Sequence, residues 1–436
     1  MNKGALNALG ASGASGPKRV LLLATTTGYQ TRMFAEAAAR MEVEIVYATD
    51  RCDHLEDPWR DGAIPVRFHE EWRSVDAVLN AVEQRPVDAV VAVGDRPTVM
   101  AAHLARILGL PGHPPEATMA ARDKRLMRER LKAAGLPTPA FFTVPVAADA
   151  GRILERVTFP VVIKPTVLSA SRGVIRADDP LSFATAFDRV RRLLGSPEVR
   201  ELRDPEADVV QVEEYIDGRE YALEGLLDQG TLRTLAIFDK PDPLEGPFFE
   251  ETIYVTPSRL DAAGQQEIAR TVAAAARALG LHHGPIHAEC RVSRRGVVVL
   301  EIAARPIGGL CAKAIRMQRG NDVMGFEEFL LRHALGDPLD GWRRERRASA
   351  VMMIPIPRSG VYRRVDNVEE ASAVPHVADV TITAKPDQQL LTLPEGASYL
   401  GFIFATADTP AEAEGAVREA HQRLRFTIDP LLTIAN

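Results

Sequence analysis

"VVVLEIAARPIGG", from Val297 to Gly309, decides how the rest of the chain is read. An apolar run ends on Glu301, and an arginine and two glycines follow at once. Upstream, "GPIHAECRV" (Gly284–Val292) carries a second glutamate, Glu289, in a similar setting. Together the two runs read as a β-hairpin. A three-residue loop, Arg294-Arg295-Gly296, places glycine where such loops take a left-handed residue. That register pairs Ser293 with Val297, Arg291 with Val299 and Glu289 with Glu301. Ile286, Ala288, Cys290, Val292, Val298, Leu300 and Ile302 then make one apolar, inward face. His287, Glu289, Glu301 and, just beyond, Arg305 share the other.

Carboxylates directly opposite one another lie ~4.5–5.5 Å apart at Cβ, where like charges destabilise the pair. Either a cation sits between them, or the face is solvated and Arg291 neutralises it. A hard divalent ion fits the first reading: magnesium takes oxygen ligands at ~2.0–2.1 Å and keeps water and phosphate oxygens as the rest. Arg305 offers a planar donor fork to phosphate or carboxylate oxygens. Gly308 and Gly309 let backbone approach a ligand closely.

At 436 residues the chain is too long for one ordinary core, and two or three domains are expected. With 46% apolar and 26% charged residues, a net charge of −6 and both signs mixed along the chain, it shows no nucleic-acid or membrane footprint. Three cysteines without metal-ligand spacing, Cys52, Cys290 and Cys311, suit buried thiols in a reducing cytoplasm. Residues 1–16 read as a flexible Gly/Ala/Ser tail. "RVLLLATTTGYQTRMFAEAAARMEVEIVYATD" and "VDAVVAVGD" alternate strand and helix, which predicts a doubly wound parallel sheet over 17–115. Although Asp50 ends the second strand, "TTTGYQ" lacks the glycine fingerprint of a dinucleotide site. Further on, "LGLPGHPPEATMAARDKRLMRERLKAAGLPTP" carries Pro/Gly punctuation and then a basic amphipathic helix closed by Gly135 and Pro137. "FPVVIKP" and "RGVIRADD" are strands around a small-residue loop. The expected divisions are 116–212, 213–335 and a small α+β module over 336–436, so the fold class is α/β plus α+β, multidomain.

These residues resemble the ATP-grasp superfamily of carboxylate–amine ligases over most of the chain. The resemblance implies that Lys124 and Lys164 reach the phosphates of ATP. It implies that the loop "TVLSASRGV", with Ser169, Ser171 and Gly173, closes over them. In "EEYIDGREY", Glu214 and Ile216 would meet the adenine edge with Glu213 beside them, and Glu220 would take the ribose hydroxyls. Glu289 and Glu301 would hold magnesium, two ions by family habit, with manganese able to substitute. Many relatives carry a third ligand, an asparagine, where this chain has Ala303. "EIAARPIGG" looks most like the bacterial L-amino-acid ligases, the dipeptide-forming branch. In that branch Arg305, Gly308 and Gly309 would contact acyl phosphate and substrate, and Glu251 would receive an ammonium group. Tyr254 stands where many relatives have histidine.

The expectation is therefore an acyl-phosphate, ADP-forming ligase joining an amino acid or small carboxylate to an amine, as a possible homodimer. Two alternatives stay open: a carboxylase of a small metabolite, and an ATP-binding regulatory protein that has lost turnover. "LHHGPIH" offers no cysteine or carboxylate to complete a zinc set with His282 and His283. His287 is expected to be structural.

Overall fold

The computed structural model describes residues 16–25, 30–50 and 62–431. Cys52, most of the tail and the middle of "TTTGYQ" lie outside them. Strands Ile64–Pro65, Glu44–Thr49, Arg19–Ala24 and Ala89–Val93 form, in that order, an all-parallel sheet. Parallel strands are buried on both faces, hence their almost continuous apolar runs. Leu21 and Leu23 pack beneath the helices Glu71–Val82 and Thr98–Ile107. Val20 and Leu22 join a second core, shared with Phe326 and Phe329 of the helix Phe326–Ala334.

The basic helix expected after residue 115 is two helices, Pro115–Arg122 and Lys124–Ala133. Asp123 breaks the run because its carboxylate caps the second helix, accepting from the amides of Arg125 (2.8 Å) and Leu126 (3.0 Å). The break makes Lys124 the first residue of its helix. Both helices pack with the helix Ala262–Leu279, so this segment belongs to the larger body and not with the residues that follow it. Those residues form a separate small sheet, ordered Phe141–Pro145, Val209–Glu214, Val161–Pro165, Ile175–Ala177, under the helix Pro180–Leu194.

A boundary at 335/336 would cut one continuous sheet. Its eight strands run, in order, Gly296–Ala303, Gly284–Ser293, Arg219–Asp228, Thr231–Asp239, Ile253–Thr256, Ala348–Ile354, Gly401–Ala407 and Val377–Ile382. Ile253–Thr256 pairs antiparallel with Ala348–Ile354, so the C-terminal strands extend the sheet that carries the glutamates.

The hairpin itself differs from expectation in two ways that cancel. Ser293 pairs with Gly296, leaving a two-residue turn, Arg294-Arg295; Arg291 pairs with Val298. A β-bulge at Leu300 then restores Glu289 opposite Glu301. The bulge also changes the faces. Val297, Val299 and Ile302 enter the helix-covered core, whereas Leu300 turns to the cleft. No helix among the described residues is long and apolar enough to cross a membrane. Cys290 and Cys311 are free, buried thiols.

Candidate active site

Where the small sheet, the eight-stranded sheet and the carboxyl ends of the parallel strands meet, they enclose a cleft of about 350 Å³. Lys124, Lys164, Ser169, Ser171, Glu213, Glu214, Ile216, Glu220, Glu251, Tyr254, Glu289, Glu301, Arg305, Gly308 and Gly309 all line it. Gly173 does not. It sits behind the loop with φ +74°, where a Cβ would lie 2.8 Å from Pro165 Cγ, so its role is to shape the turn.

At one end the lysines are tethered. The strand Val161–Pro165 delivers Lys164, which pairs with the buried Glu213. Glu213 also accepts from Arg128 Nε at 3.0 Å and from Gln211 at 2.9 Å. Glu213 is thus the counter-charge that fixes two cations, not a free group beside a base. Burial pushes the Lys164 ammonium down to about 8, with Glu213 opposing and Arg128 assisting. Glu213 is held down at about 2 because Arg128 and Lys164 outweigh its burial. Lys124 Nζ donates to the carbonyl of Leu168 at 2.7 Å and lies 3.6 Å from Glu301. Glu214 and Ile216 follow at the rim. The Ile216 carbonyl accepts from Arg291 at 2.6 Å.

At the other end is a residue that the sequence reading missed. Lys240 Nζ lies 2.7 Å from Glu220, 2.9 Å from Glu289 and 2.5 Å from Glu251. Tyr254 donates its hydroxyl to Glu251 at 2.9 Å, and its ring lies under Lys240. Glu220 faces Lys240 and Arg291 (3.0 Å). Arg291 therefore serves Glu220 and not the Glu289–Glu301 pair, as the solvated-face reading required. Burial and the adjacent Glu289 push Glu251 up to about 7. Burial opposes ionisation of Glu289 as well, but Lys240 and His287 hold it well below the usual range. His287 bridges Glu224 (2.8 Å) and Glu289 (3.5 Å), a structural position.

The donors suit a hard divalent cation. Glu289 and Glu301 pair in register and face one cleft, and Glu220, Glu251 and Glu289 bring carboxylate oxygens within 4.8 Å of one another. Ala303 offers no side-chain oxygen; it is buried opposite His287, which turns away to Glu224. Far from the cleft the fold gathers Asp228, His283 and His333, so a carboxylate does join the histidines. The two imidazoles stack at 4.2 Å with 18° between planes, which sets their nitrogens side by side instead of converging on one ion.

Arg305 is held from another body of the chain. Asp95, at the end of the strand Ala89–Val93, accepts from its Nε at 2.7 Å and its Nη2 at 3.0 Å. A ligand crevice at the carboxyl ends of parallel strands is general for such sheets, and that rule could have found Asp95. Lys240 carried the same signal as Lys164, a lysine closing an apolar strand. Tyr399 and Phe402, which wall the cleft from the C-terminal strands, carried none.

Comparison with known proteins agrees with this geometry. Family profiles described as ATP-grasp N-terminal domain, ATP-grasp domain and L-amino acid ligase C-terminal domain 2 match residues 35–112, 157–314 and 352–429. The crystal structure of an L-amino acid ligase from Bacillus licheniformis superposes with TM-score 0.80 at 26% identity, over 95% of this chain and all of that one. The protein y4rH of Sinorhizobium fredii is 25% identical over 95% of this chain and 84% of its own length. Alanine–anticapsin ligase of Bacillus subtilis is 29% identical over 57% of this chain, a match spanning 55% of that enzyme. The chain is a member of the ATP-grasp superfamily of ligases, related to the L-amino-acid ligases.

Proposed function

We propose that the protein activates a small carboxylate, an amino acid in the first instance, by ATP and joins it to an amine. The carrying observation is the polarity of one cleft, with tethered lysines at one end and clustered carboxylates at the other. Carboxylates do not condense with amines in water, because the leaving oxygen is too poor. Transfer of the γ-phosphoryl group to a carboxylate oxygen gives an acyl phosphate and ADP. The amine then attacks the acyl carbon, loses a proton, and phosphate departs.

Such transfer needs positioning and charge neutralisation, not a protein nucleophile. In this reading Lys124 and Lys164 orient the phosphates, and Glu214 and Ile216 flank the base. Glu220, held by Lys240 and Arg291, takes the ribose hydroxyls. Glu289 and Glu301 would hold divalent magnesium, which when bound neutralises charge developing on phosphate oxygens. Arg305, oriented by Asp95, presents its remaining donors to the acyl group, with the Gly308-Gly309 backbone beside it. Glu251 receives an ammonium group, and Tyr254 orients it. Ser169 and Ser171 cover the phosphates and exclude water, which would hydrolyse the intermediate.

A pairwise amino-acid screen with ATP and magnesium, reading free phosphate and the mass of any condensed product, tests the proposal. Substrate-dependent ADP and phosphate with an amide product is the expected result. Release of AMP and pyrophosphate, a requirement for bicarbonate, or nucleotide binding without turnover would each overturn it.

A further inference from the structure

The loop that covers the cleft is held from outside by the C-terminal part of the chain. Ala170 and Ser171 occupy the left-handed region, with φ +56° and +55°, a conformation that L side chains adopt only at a cost. Two such residues in succession relax unless neighbours fix them. Two bonds inside the loop help, from Arg172 N to Ser169 O and from Val174 N to Ser171 O. Lys124 Nζ holds the Leu168 carbonyl, Arg172 forks onto Glu198 at 3.0 and 2.8 Å, and two further bonds come from the turn at 391–396, more than two hundred residues away. Gly173 N donates to Pro394 O at 2.9 Å, and Arg172 Nε donates to Glu395 O at 2.8 Å. The Glu395 carboxylate takes Arg189, on the helix Pro180–Leu194, in a two-pronged pair at 2.5 and 2.8 Å. Fork-to-fork pairing fixes direction as well as distance.

The turn is itself rigid. Leu390 is fully buried in the C-terminal core, Thr392 N is bonded to Ser359 Oγ, and Gly396 N closes onto Thr392 O. A Cβ on Gly396 would collide with the carbonyl of Leu391. A firm support therefore grips a strained loop on its backbone and also grips the helix behind it.

We propose that the turn at 391–396 is the outer jaw of the nucleotide clamp, with Glu395 a positioning residue that keeps Ser169 and Ser171 over the phosphates. This rests on the ligase reading for its consequence, but not for its geometry. With the jaw released, water reaches the acyl phosphate and ATP is consumed without amide formation.

The test compares the full-length protein with Glu395→Gln, Glu395→Arg, Arg189→Glu and the double swap Arg189→Glu/Glu395→Arg. Hydrogen exchange of the 169–174 amides without ligand should quicken about fivefold in the single variants and return toward wild type in the swap. With ATP and the best substrate pair, the ATP KM and the phosphate released per amide formed should rise severalfold, with kcat changed less. Exchange at 169–174 unchanged in every variant overturns the proposal, as does an unaltered phosphate-to-amide ratio in an active enzyme. If wild type releases no phosphate with any substrate, the ligase reading fails, and the exchange measurement still decides the jaw.

Discussion

At one end of the cleft a single carboxylate, Glu213, is shared by two cations, Arg128 and Lys164. At the other a single cation, Lys240, is shared by three carboxylates, Glu220, Glu251 and Glu289. Glu213, Lys164, Lys240 and Glu220 are buried, and Glu251 and Glu289 are mostly so, which leaves little water to mask either imbalance. Each shows in protonation. Burial moves Lys164 toward losing its proton and Glu251 toward gaining one. A site of this kind is completed by ligands of opposite sign at its two ends: anionic phosphates against the lysines, and cations, whether metal or ammonium, against the glutamates.

The sharpest way to break this comparison is to remove the minority charge. Lys240→Met takes the shared cation from three carboxylates, leaving Glu220 with Arg291, Glu289 with His287 and Glu251 with the Tyr254 hydroxyl, and should cost about 3 kcal/mol in urea unfolding, part of it restored by magnesium. Arg128→Met removes instead one of the two majority charges at the other end, leaves Glu213 with Lys164 and Gln211, and should cost about 1–3 kcal/mol. Equal losses would show that the two ends are not differently balanced.

Next in size is the effect on turnover. Glu289→Gln and Glu301→Gln should each lower kcat by roughly 10²–10³-fold while ATP binding changes little, as steady-state kinetics beside nucleotide titration would show. Comparable weakening of ATP binding would place these residues at the wrong end of the site.

The two protonation shifts sharpen the comparison further. Burial brings Lys164 down to about 8, so the KM for ATP should climb roughly eightfold between pH 7.5 and 9. Lys164→Arg, always charged, should flatten that rise, and an identical profile in the variant would assign the effect elsewhere.

Stability should move in the opposite region of pH. Glu251 binds its proton up to about 7 when folded, against an ordinary 4.5. Between those values the folded state holds more protons than the unfolded chain, so this contribution is fully present below 4.5 and is lost as pH rises toward 7. Glu251→Gln should remove that slope from urea melts between pH 5 and 7.5. A slope that persists would point to another group.

Much of the site was legible because its signals are local. A lysine closing an apolar strand, a glutamate at each arm of a hairpin, and arginine with glycines after the second arm are all readable within a dozen residues. The hairpin shows where this stops. Turn length and the Leu300 bulge were both missed, and the glutamates still paired because the two differences cancel. The core face did not survive the same cancellation: Val297 and Val299 replaced Val298 and Leu300. Sheet continuity was also out of reach, since the pairing of Ile253–Thr256 with Ala348–Ile354 joins segments about a hundred residues apart.

By itself the sequence determined the alternation of strands and helices and which residue types could bind phosphate or a hard cation. Those properties depend on backbone geometry and side-chain chemistry within a few turns of chain. Only the tertiary structure decided that Lys240 sits among three glutamates, that Asp95 aims Arg305, and that Glu395 grips the loop over the cleft. Each is a charge or hydrogen-bond pairing between distant segments. Its strength comes from burial and direction, which exist only once the chain has folded.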